Sequence, residues 1–558
     1  MSIAFFERHR ATLEQAVQAL QSRGYWSQFS ESPSPRVYGE TAADTGKAAY
    51  EARLNRPFEL AQAASAGLAG SEASPYGFNL GITYPKPVIG QLLPAVSAAA
   101  ASWRRAGPKA WAGVSLEIVA RLNARSFEIA HAVMHTTGQA FMMAFQAGGP
   151  HAQDRALEAI GCAWQQMSLI PATADWEKPQ GKHAPLQMRK SYRIVPRGIG
   201  LVIGCCTFPT WNSYPGLFAN LATGNAVIVK PHPGAILPLA ITVEVAREVL
   251  AEAGFAPDIV TLFAHDRDDA VARELALRPE IALIDFTGSS ANGNWLERNA
   301  LQAKVYTEKS GVNQIVIDST DDLQGMARNI AFSLCLYSGQ MCTTPQNIYI
   351  PKDGIRTPEG HASFEAVTAA ITDAIARLTG DAAKAVEVLG AIQNDGVRQR
   401  IEAARTRGKV LLDSIALQHP QFAEACIRTP LVVQVDANSA VTEEFFGPVS
   451  FVIPVDDTTM AVTLAERIAQ RHGALTLSGY STDPQVKDAL ADAAANAGVA
   501  LSLNLTGGVF VNQSAAFSDY HGTGANPAAN AALADAAFVA DRFRVVQTRE
   551  PVSAPAAN

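Results

Sequence analysis

A chain of 558 residues is too long for one small module. With 48% apolar residues, 17% charged residues and 31 prolines it has a core-forming composition, which excludes the disordered, collagen-like and coiled-coil classes. Its 45 Lys and Arg against 52 Asp and Glu give a net charge of −7 without a basic run to meet phosphates, so neither nucleic acid nor a membrane is an expected partner.

Six cysteines without C-x-x-C spacing fit a reduced, cytoplasmic setting, and neither an export signal nor a membrane span is expected. Residues 1–90 read as an N-terminal extension, mostly irregular, because the stretch from Ser32 to Pro87 mixes a Ser-Pro-Ser-Pro run with scattered Gly and Ala. From Leu92 to about Met167, apolar residues at helical spacing, among them Ile118 and Leu122, predict two or three helices bounded by Gly-Pro pairs. Short β-rich runs at 200–205, 225–229, 259–263 and 281–286 then alternate with helical patterns such as 237–253, the signature of a parallel sheet built from βαβ units.

A helical pattern over 323–338 puts Met326, Ile330 and Leu334 on one face and stops at Gly339, which leaves Cys342 on the turn beyond. A second α/β region runs from Phe364 to about Val511, and the alternation within 538–552 predicts a final strand that pairs elsewhere.

Five motifs carry residues of chemical interest. Cys342, in Gly-Gln-Met-Cys-Thr-Thr, is a nucleophile if its turn lowers the thiol pKa; taken alone, such a cysteine is more often a small buried hydrophobe. Glu308, in Val-Tyr-Thr-Glu-Lys-Ser-Gly, is placed to act as a general base if burial raises its pKa, whereas pairing with the adjacent Lys309 is the ordinary role of a loop carboxylate. The turn Thr287-Gly288-Ser289, with Asn292 after it, suits a pyrophosphate at a helix start and equally an ordinary N-cap. Lys230 ends a buried strand where parallel sheets bind ligands, or is a surface lysine before a Pro-His-Pro turn. Glu444 and Phe446, in Glu-Phe-Phe-Gly-Pro, match a ribose acceptor and a nicotinamide wall, or a turn over two core phenylalanines.

Read together from Leu92 to Val552, these motifs resemble the aldehyde dehydrogenase superfamily in order and spacing, including the 34 residues that separate Glu308 from Cys342 (342 − 308). The extended N-terminus and diverged motifs look most like the phenylacetic-acid-degradation PaaN group. The resemblance implies an α/β fold with a Rossmann-like dinucleotide-binding domain over 91–309, interrupted near 171–195 by an oligomerisation ribbon. A catalytic domain over 310–515 and a C-terminal segment over 516–558 with an oligomerisation strand complete it. The small β extension would combine the ribbon near 189–195 with the tail strand 543–548 in a homodimer or dimer of dimers.

The same resemblance makes Cys342 the nucleophile and Glu308 the general base. It assigns NAD or NADP to Ile203, Lys230, His232, Pro233, Thr287, Gly288, Ser289, Asn292, Glu444 and Phe446, and no metal. Three departures stand out. Thr207 replaces the asparagine that donates to the oxyanion. Pro233, beside His232, replaces a ribose-binding glutamate, which leaves the choice between NAD and NADP open. The stretch 517–524 (Phe-Ser-Asp-Tyr-His-Gly-Thr-Gly) replaces the usual motif at the substrate entrance.

The implied reaction is oxidation of an aldehyde to an acid through a cysteine thiohemiacetal and thioester, in aromatic catabolism, with semialdehydes on a coenzyme A thioester within its range. A CoA-acylating dehydrogenase is the nearest alternative, opposed by Glu308. A non-catalytic partner in a degradation complex is the alternative of another class. A metal-dependent hydrolase has no supporting histidine spacing.

Overall fold

The computed structural model describes residues 1–62, 65–267, 271–512 and 515–552. Two sheets position the site. The first is wholly parallel, with strands in the order Lys304–Glu308, Ile281–Thr287, Ile199–Ile203, Ala226–Lys230 and Val260–Leu262. Its central strands Ile199–Ile203 and Ala226–Lys230 are buried on both faces, as expected when helices cover both sides of a parallel sheet. The helix Pro209–Ala222 connects them, and starts where Pro209 supplies a preset φ at the first helical position.

The second sheet has seven strands in the order Lys409–Leu412, Leu431–Gln434, Val449–Val455, Pro345–Pro351, Asn313–Ile317, Thr476–Tyr480 and Ala500–Leu503, antiparallel only at its first pair. A third, mostly exposed antiparallel sheet joins Thr173–Gln180, His183–Pro196 and the tail strand Phe543–Pro551, with Val195 opposite Arg544 and Arg189 opposite Glu550. Among the described residues, no helix is long and apolar enough to cross a membrane.

The four β-rich runs between 200 and 286 lie within two residues of the strands observed and the tail strand runs three residues past 548, but the N-terminal half is more helical than the sequence suggested. Five helices, not two or three, occupy 89–168, because breaks at Arg125 and Gly149 add to the positive-φ turns at Gly107 (φ 82°) and Gly138 (φ 85°), where glycine fits most readily. The N-terminal extension is not mostly irregular. It contains the 21-residue helix Ser2–Ser22, whose Phe5, Phe6, Leu13, Ala16 and Leu20 are buried, and the shorter helix Ala42–Glu51. The first packs on the helices Pro108–Ala124 and Pro150–Ser168, so its apolar stripe is satisfied by tertiary contact and needs no strong local signal.

The tail is locked to the first sheet by Arg542, which is fully buried. Its guanidinium donates to both carboxylate oxygens of Asp285, at 2.8 and 2.6 Å, to Asn220 Oδ1 at 2.9 Å and to the Phe538 carbonyl at 2.8 Å. Removing one member of such a pair strands the other charge in the core. Arg542→Met is therefore expected to destabilise the protein by about 3–5 kcal/mol, read as a fall in the midpoint of denaturant unfolding; an unchanged midpoint would refute this role.

Candidate active site

The helix Leu323–Cys335 is capped at its start by Asp322, which accepts from Gly325 N at 2.7 Å, and buries Met326, Ile330 and Leu334. It ends three residues earlier than its periodicity indicates, because Tyr337 (φ 52°), Ser338 (φ 48°) and Gly339 (φ 61°) follow in the left-handed region. Two consecutive non-glycine residues there are costly and persist only when their surroundings fix them. Tyr337 Oη donates to the Thr137 carbonyl, and Ser338 Oγ donates to the carbonyls of Leu389 (3.1 Å) and Arg428 (3.0 Å). Gln340 donates to the Ala391 carbonyl (3.0 Å) and accepts from Gln393 N (2.9 Å).

The turn thus delivers Cys342, whose carbonyl accepts from Asn313 Nδ2 at 2.7 Å. A Cβ at position 339 would stand 2.3 Å from the Gly447 carbonyl oxygen. Gly339→Ala is expected to cost about 1–3 kcal/mol and to slow alkylation of Cys342 by iodoacetamide; an unmoved melting temperature and alkylation rate would contradict this account of the turn.

Glu308 ends its strand buried at 5% exposure. Its Oε2 accepts from Asn212 Nδ2 at 3.1 Å, while Oε1 lies 3.3 Å from His521 Nε2 and accepts no hydrogen bond. The same His521 nitrogen is 3.9 Å from Cys342 Sγ. Ligand-type atoms of Glu308, Cys342 and His521 all fall within 4.8 Å of one another, the one such group among the described residues. Burial, the largest influence, pushes the Glu308 carboxyl up, but His521, the Cys342 thiol and Arg155 together hold the group below its ordinary range. Burial, and then the Glu308 charge, push the Cys342 thiol well above its ordinary range. A thiol, an imidazole and an ionised carboxylate in contact form the constellation of nucleophilic catalysis, with the carboxylate also placed to activate water.

Lys309 does not pair with Glu308. Its ammonium turns to Glu297 (2.9 Å) and Asn294 (2.9 Å), which leaves the carboxylate to the site. Thr207 sits on the loop that follows the strand Ile199–Ile203. It is buried, its carbonyl is taken by Gln139 Nε2 at 2.8 Å, and among the described residues it is absent from the lining of the cavity over Cys342. It precedes the helix that begins at Pro209, whereas Asn212, on the first turn, points into the cavity. Cys205 Sγ, 3.6 Å from Asn212 Oδ1, leaves the amide NH2 directed at Glu308.

Ile203, Lys230, Thr287, Gly288 and Ser289 lie at the carboxyl ends of the first sheet, where such sheets bind ligands, while Glu444 and Phe446 come from a loop of the second. Ile203 pairs with Lys230 on one side and Phe286 on the other, and Thr287 pairs with Glu308. Gly288 N donates to the Glu308 carbonyl at 3.0 Å. Ser289 is the N-cap of the helix Ser290–Asn299 and accepts from Asn292 N at 3.4 Å.

Lys230 is 6% exposed, and burial alone pulls its ammonium down to about 8, with no carboxylate to offset it. Such a cation suits ribose hydroxyls or a phosphate. Glu444 is pushed up to about 8 by burial despite Ser310 and Arg400, and the Phe446 carbonyl accepts from Arg400 Nε at 2.8 Å. Pro233 is buried in its turn, and His232 Nδ1 accepts from Gly234 N at 3.1 Å. Burial first, then Lys230 and Arg267, pull His232 down to about 4. Arg267 is a nearby cation that the sequence did not single out.

The cavity over Cys342 has a volume of about 430 Å³. Its aromatic wall comprises Tyr25, Trp26, Phe208, Trp211, Phe332 and Phe510. Two of these belong to the N-terminal extension, which therefore contributes to the site. His521 and Asn212 escaped sequence reasoning. The available signals were a lone histidine inside the stretch that departs from the superfamily pattern, and an asparagine five residues after the position where one was missing.

Comparison with known proteins agrees with this geometry. The family model described as "Aldehyde dehydrogenase family" matches residues 89–498. The crystal structure of an NAD-dependent aldehyde dehydrogenase from Burkholderia multivorans is 66% identical and superposes with a TM-score of 0.98, covering 99% of this chain and 100% of that one. The aldehyde dehydrogenase LUC3 of Fusarium sp is 25% identical over 279 residues, 50% of this chain and 56% of its own. The 2-aminomuconic 6-semialdehyde dehydrogenase of Pseudomonas sp is 27% identical over 290 residues, 48% of this chain and 55% of its own. The chain thus spans little more than half the length of these curated relatives. With the matched region, the two sheets and the Cys342 turn in agreement, the chain belongs to the aldehyde dehydrogenase family.

Proposed function

We propose that this protein oxidises an apolar, aromatic aldehyde to its carboxylic acid with NAD or NADP. The observation that carries the reading is Cys342 in contact with a buried base pair, Glu308 and His521, on the wall of an aromatic cavity. Cys342 attacks the carbonyl carbon, and the oxyanion is met by backbone N–H at the turn. A nicotinamide cofactor, when bound, takes up the hydride. Lys230, Ser289 and Glu444 are the groups this chain offers to hold it. Glu308 then removes a proton from the water that attacks the Cys342 thioester.

An ionised Glu308 favours this hydrolytic outcome over the CoA-acylating alternative, and the assembled Cys342 site favours catalysis over a purely structural role. The cavity wall carries aromatic rings and no lysine or arginine among its described residues, which favours a free aromatic aldehyde over a coenzyme A thioester. An aromatic-catabolic role of the phenylacetate type follows from that preference. The 66% identity to an enzyme named as NAD-dependent favours NAD, with Arg267 the residue to test for NADP. Six free cysteines suit a reducing, cytoplasmic compartment, and the exposed sheet carrying Phe543–Pro551 suits a homodimer or dimer of dimers, testable by light scattering.

The deciding experiment follows absorbance at 340 nm with NAD+ or NADP+ against aliphatic, aromatic and CoA-linked aldehydes, with and without free coenzyme A. Reduction of the cofactor with aromatic aldehydes and no coenzyme A is expected. Turnover that requires coenzyme A would replace this reading with the acylating one.

A further inference from the structure

The thiol of Cys342 lies among groups that resist its ionisation, beside the negative charge of Glu308 and with Glu444 also near. A nucleophile so placed needs a proton acceptor within reach. Glu308 also stands near the thiol, with Oε2 held by Asn212, but it is the group the hydrolytic half of the reaction needs as a base toward water. His521 stands between them, with a single ring nitrogen facing both Cys342 Sγ at 3.9 Å and the unbonded Glu308 Oε1 at 3.3 Å.

We propose that His521 is the proton acceptor for Cys342: the S–H bond breaks, an N–H bond forms at Nε2, and Glu308 Oε1 holds the resulting imidazolium against the thiolate. This inference rests on the nucleophilic role given to Cys342 above. In the transfer the ring accepts at Nε2 and keeps its other proton on Nδ1. Charge balances, because thiol, imidazole and carboxylate become thiolate, imidazolium and carboxylate with no net change. The proton returns to Sγ when the thioester is hydrolysed, which resets the pair. Glu308 is thereby a counter-ion in the first half of the reaction and free to serve water in the second.

The fold secures His521 from three directions. Its ring meets Trp211 edge to face, with centroids 4.7 Å apart at 80°. Its carbonyl accepts from Leu533 N at 3.1 Å. The loop before it turns at Phe517 (φ 69°), whose N–H donates to Glu158 Oε1 at 2.8 Å and whose carbonyl accepts from Arg23 at 3.2 Å. Glu158 is itself buried against Arg155 at 2.8 Å, and Arg155 donates to the Asp519 carbonyl at 3.4 Å. Trp26 packs on the Phe517 ring at 4.8 Å, and Arg23 lies over Tyr520 at 4.1 Å, so the N-terminal extension helps seat the base. The ionisable groups around the pair are therefore Glu308, Glu444, Cys205, Arg155, Glu158, Asp519 and Arg23.

The test is the rate at which iodoacetamide alkylates Cys342 in the full chain between pH 5 and 10, localised by mass spectrometry after EDTA treatment. Wild type is compared with His521→Gln and His521→Asn, and melting temperature selects the variant that remains folded. Loss of the acceptor is expected to move the alkylation profile up by at least about one pH unit, which lowers the rate at pH 7 by about tenfold or more. A folded variant with the wild-type profile would overturn the proposal. Cofactor reduction is measured in parallel. A shifted profile in a protein that reduces no cofactor would count against the proposed function and leave His521 in place, whereas aldehyde turnover with an unshifted profile would do the reverse.

Discussion

Replacing Cys342 with alanine is expected to abolish aldehyde-dependent reduction of NAD(P)+, lowering kcat by on the order of 10⁴-fold or more. The sulfur is the one atom of the site that can form the covalent adduct from which hydride leaves. Neither His521 nor Glu308 is expected to substitute for it, because a thiolate is a far stronger nucleophile toward a carbonyl carbon than an imidazole or a carboxylate. The substitution removes one sulfur from a partly buried turn whose shape is set by Tyr337, Ser338 and Gln340, so the fold survives and cofactor binding is retained. The measurement is steady-state absorbance at 340 nm alongside cofactor binding by fluorescence. Activity above about one percent of wild type in purified C342A would remove Cys342 from the mechanism.

Glu308→Gln has the second-largest expected effect, and its form distinguishes the two halves of the reaction. Attack and hydride departure precede the need for a base toward water, so the variant is expected to release one reduced cofactor per Cys342 in a rapid burst. Steady-state turnover then falls by about 10²–10⁴-fold, because water is a weak nucleophile toward a thioester near neutral pH. Glutamine keeps the hydrogen bond from Asn212 through its carbonyl oxygen and fills the same volume, so the fall in turnover reports the base toward water and any slowing of the burst reports the lost counter-ion to His521. Rapid-mixing absorbance gives burst and steady state in one trace. A burst that vanishes together with turnover would place Glu308 in thiol activation instead, and unchanged turnover would deny it any role as base.

Much of this site was legible in the sequence because its chemistry is tied to local backbone form. Cys342 follows a helix whose apolar stripe of Met326, Ile330 and Leu334 is visible as periodicity, and Gly339 marks where that helix has already ended. Lys230, Thr287 and Glu308 each terminate a short β-rich run, and strand ends in a parallel sheet converge on one edge. The alternation of strand and helix, and the resemblance resting on the order of the motifs, likewise needed no coordinates.

Other parts depended on distant segments meeting. His521 lies 179 residues beyond Cys342. It reaches the thiol only because a left-handed turn at Phe517 is pinned by Glu158 from one helix and Arg23 from another. The N-terminal extension looked irregular because its helix Ser2–Ser22 depends on packing against two other helices, which a local pattern does not encode. Thr207 and Asn212 show the same division. The resemblance drew attention to Thr207, whereas Asn212 enters the cavity from the first turn of the helix that starts at Pro209.

The sequence by itself carried the resemblance to the family and singled out Cys342 and Glu308 as candidates, because covalent chemistry requires particular atoms at particular turns and those turns are written in short motifs. Tertiary structure alone decided the company these residues keep: His521 between the thiol and the carboxylate, Asn212 on Glu308, and Tyr25 and Trp26 on the cavity wall. Contacts across hundreds of residues are fixed by burial and chain topology, and these become definite only when the whole core closes.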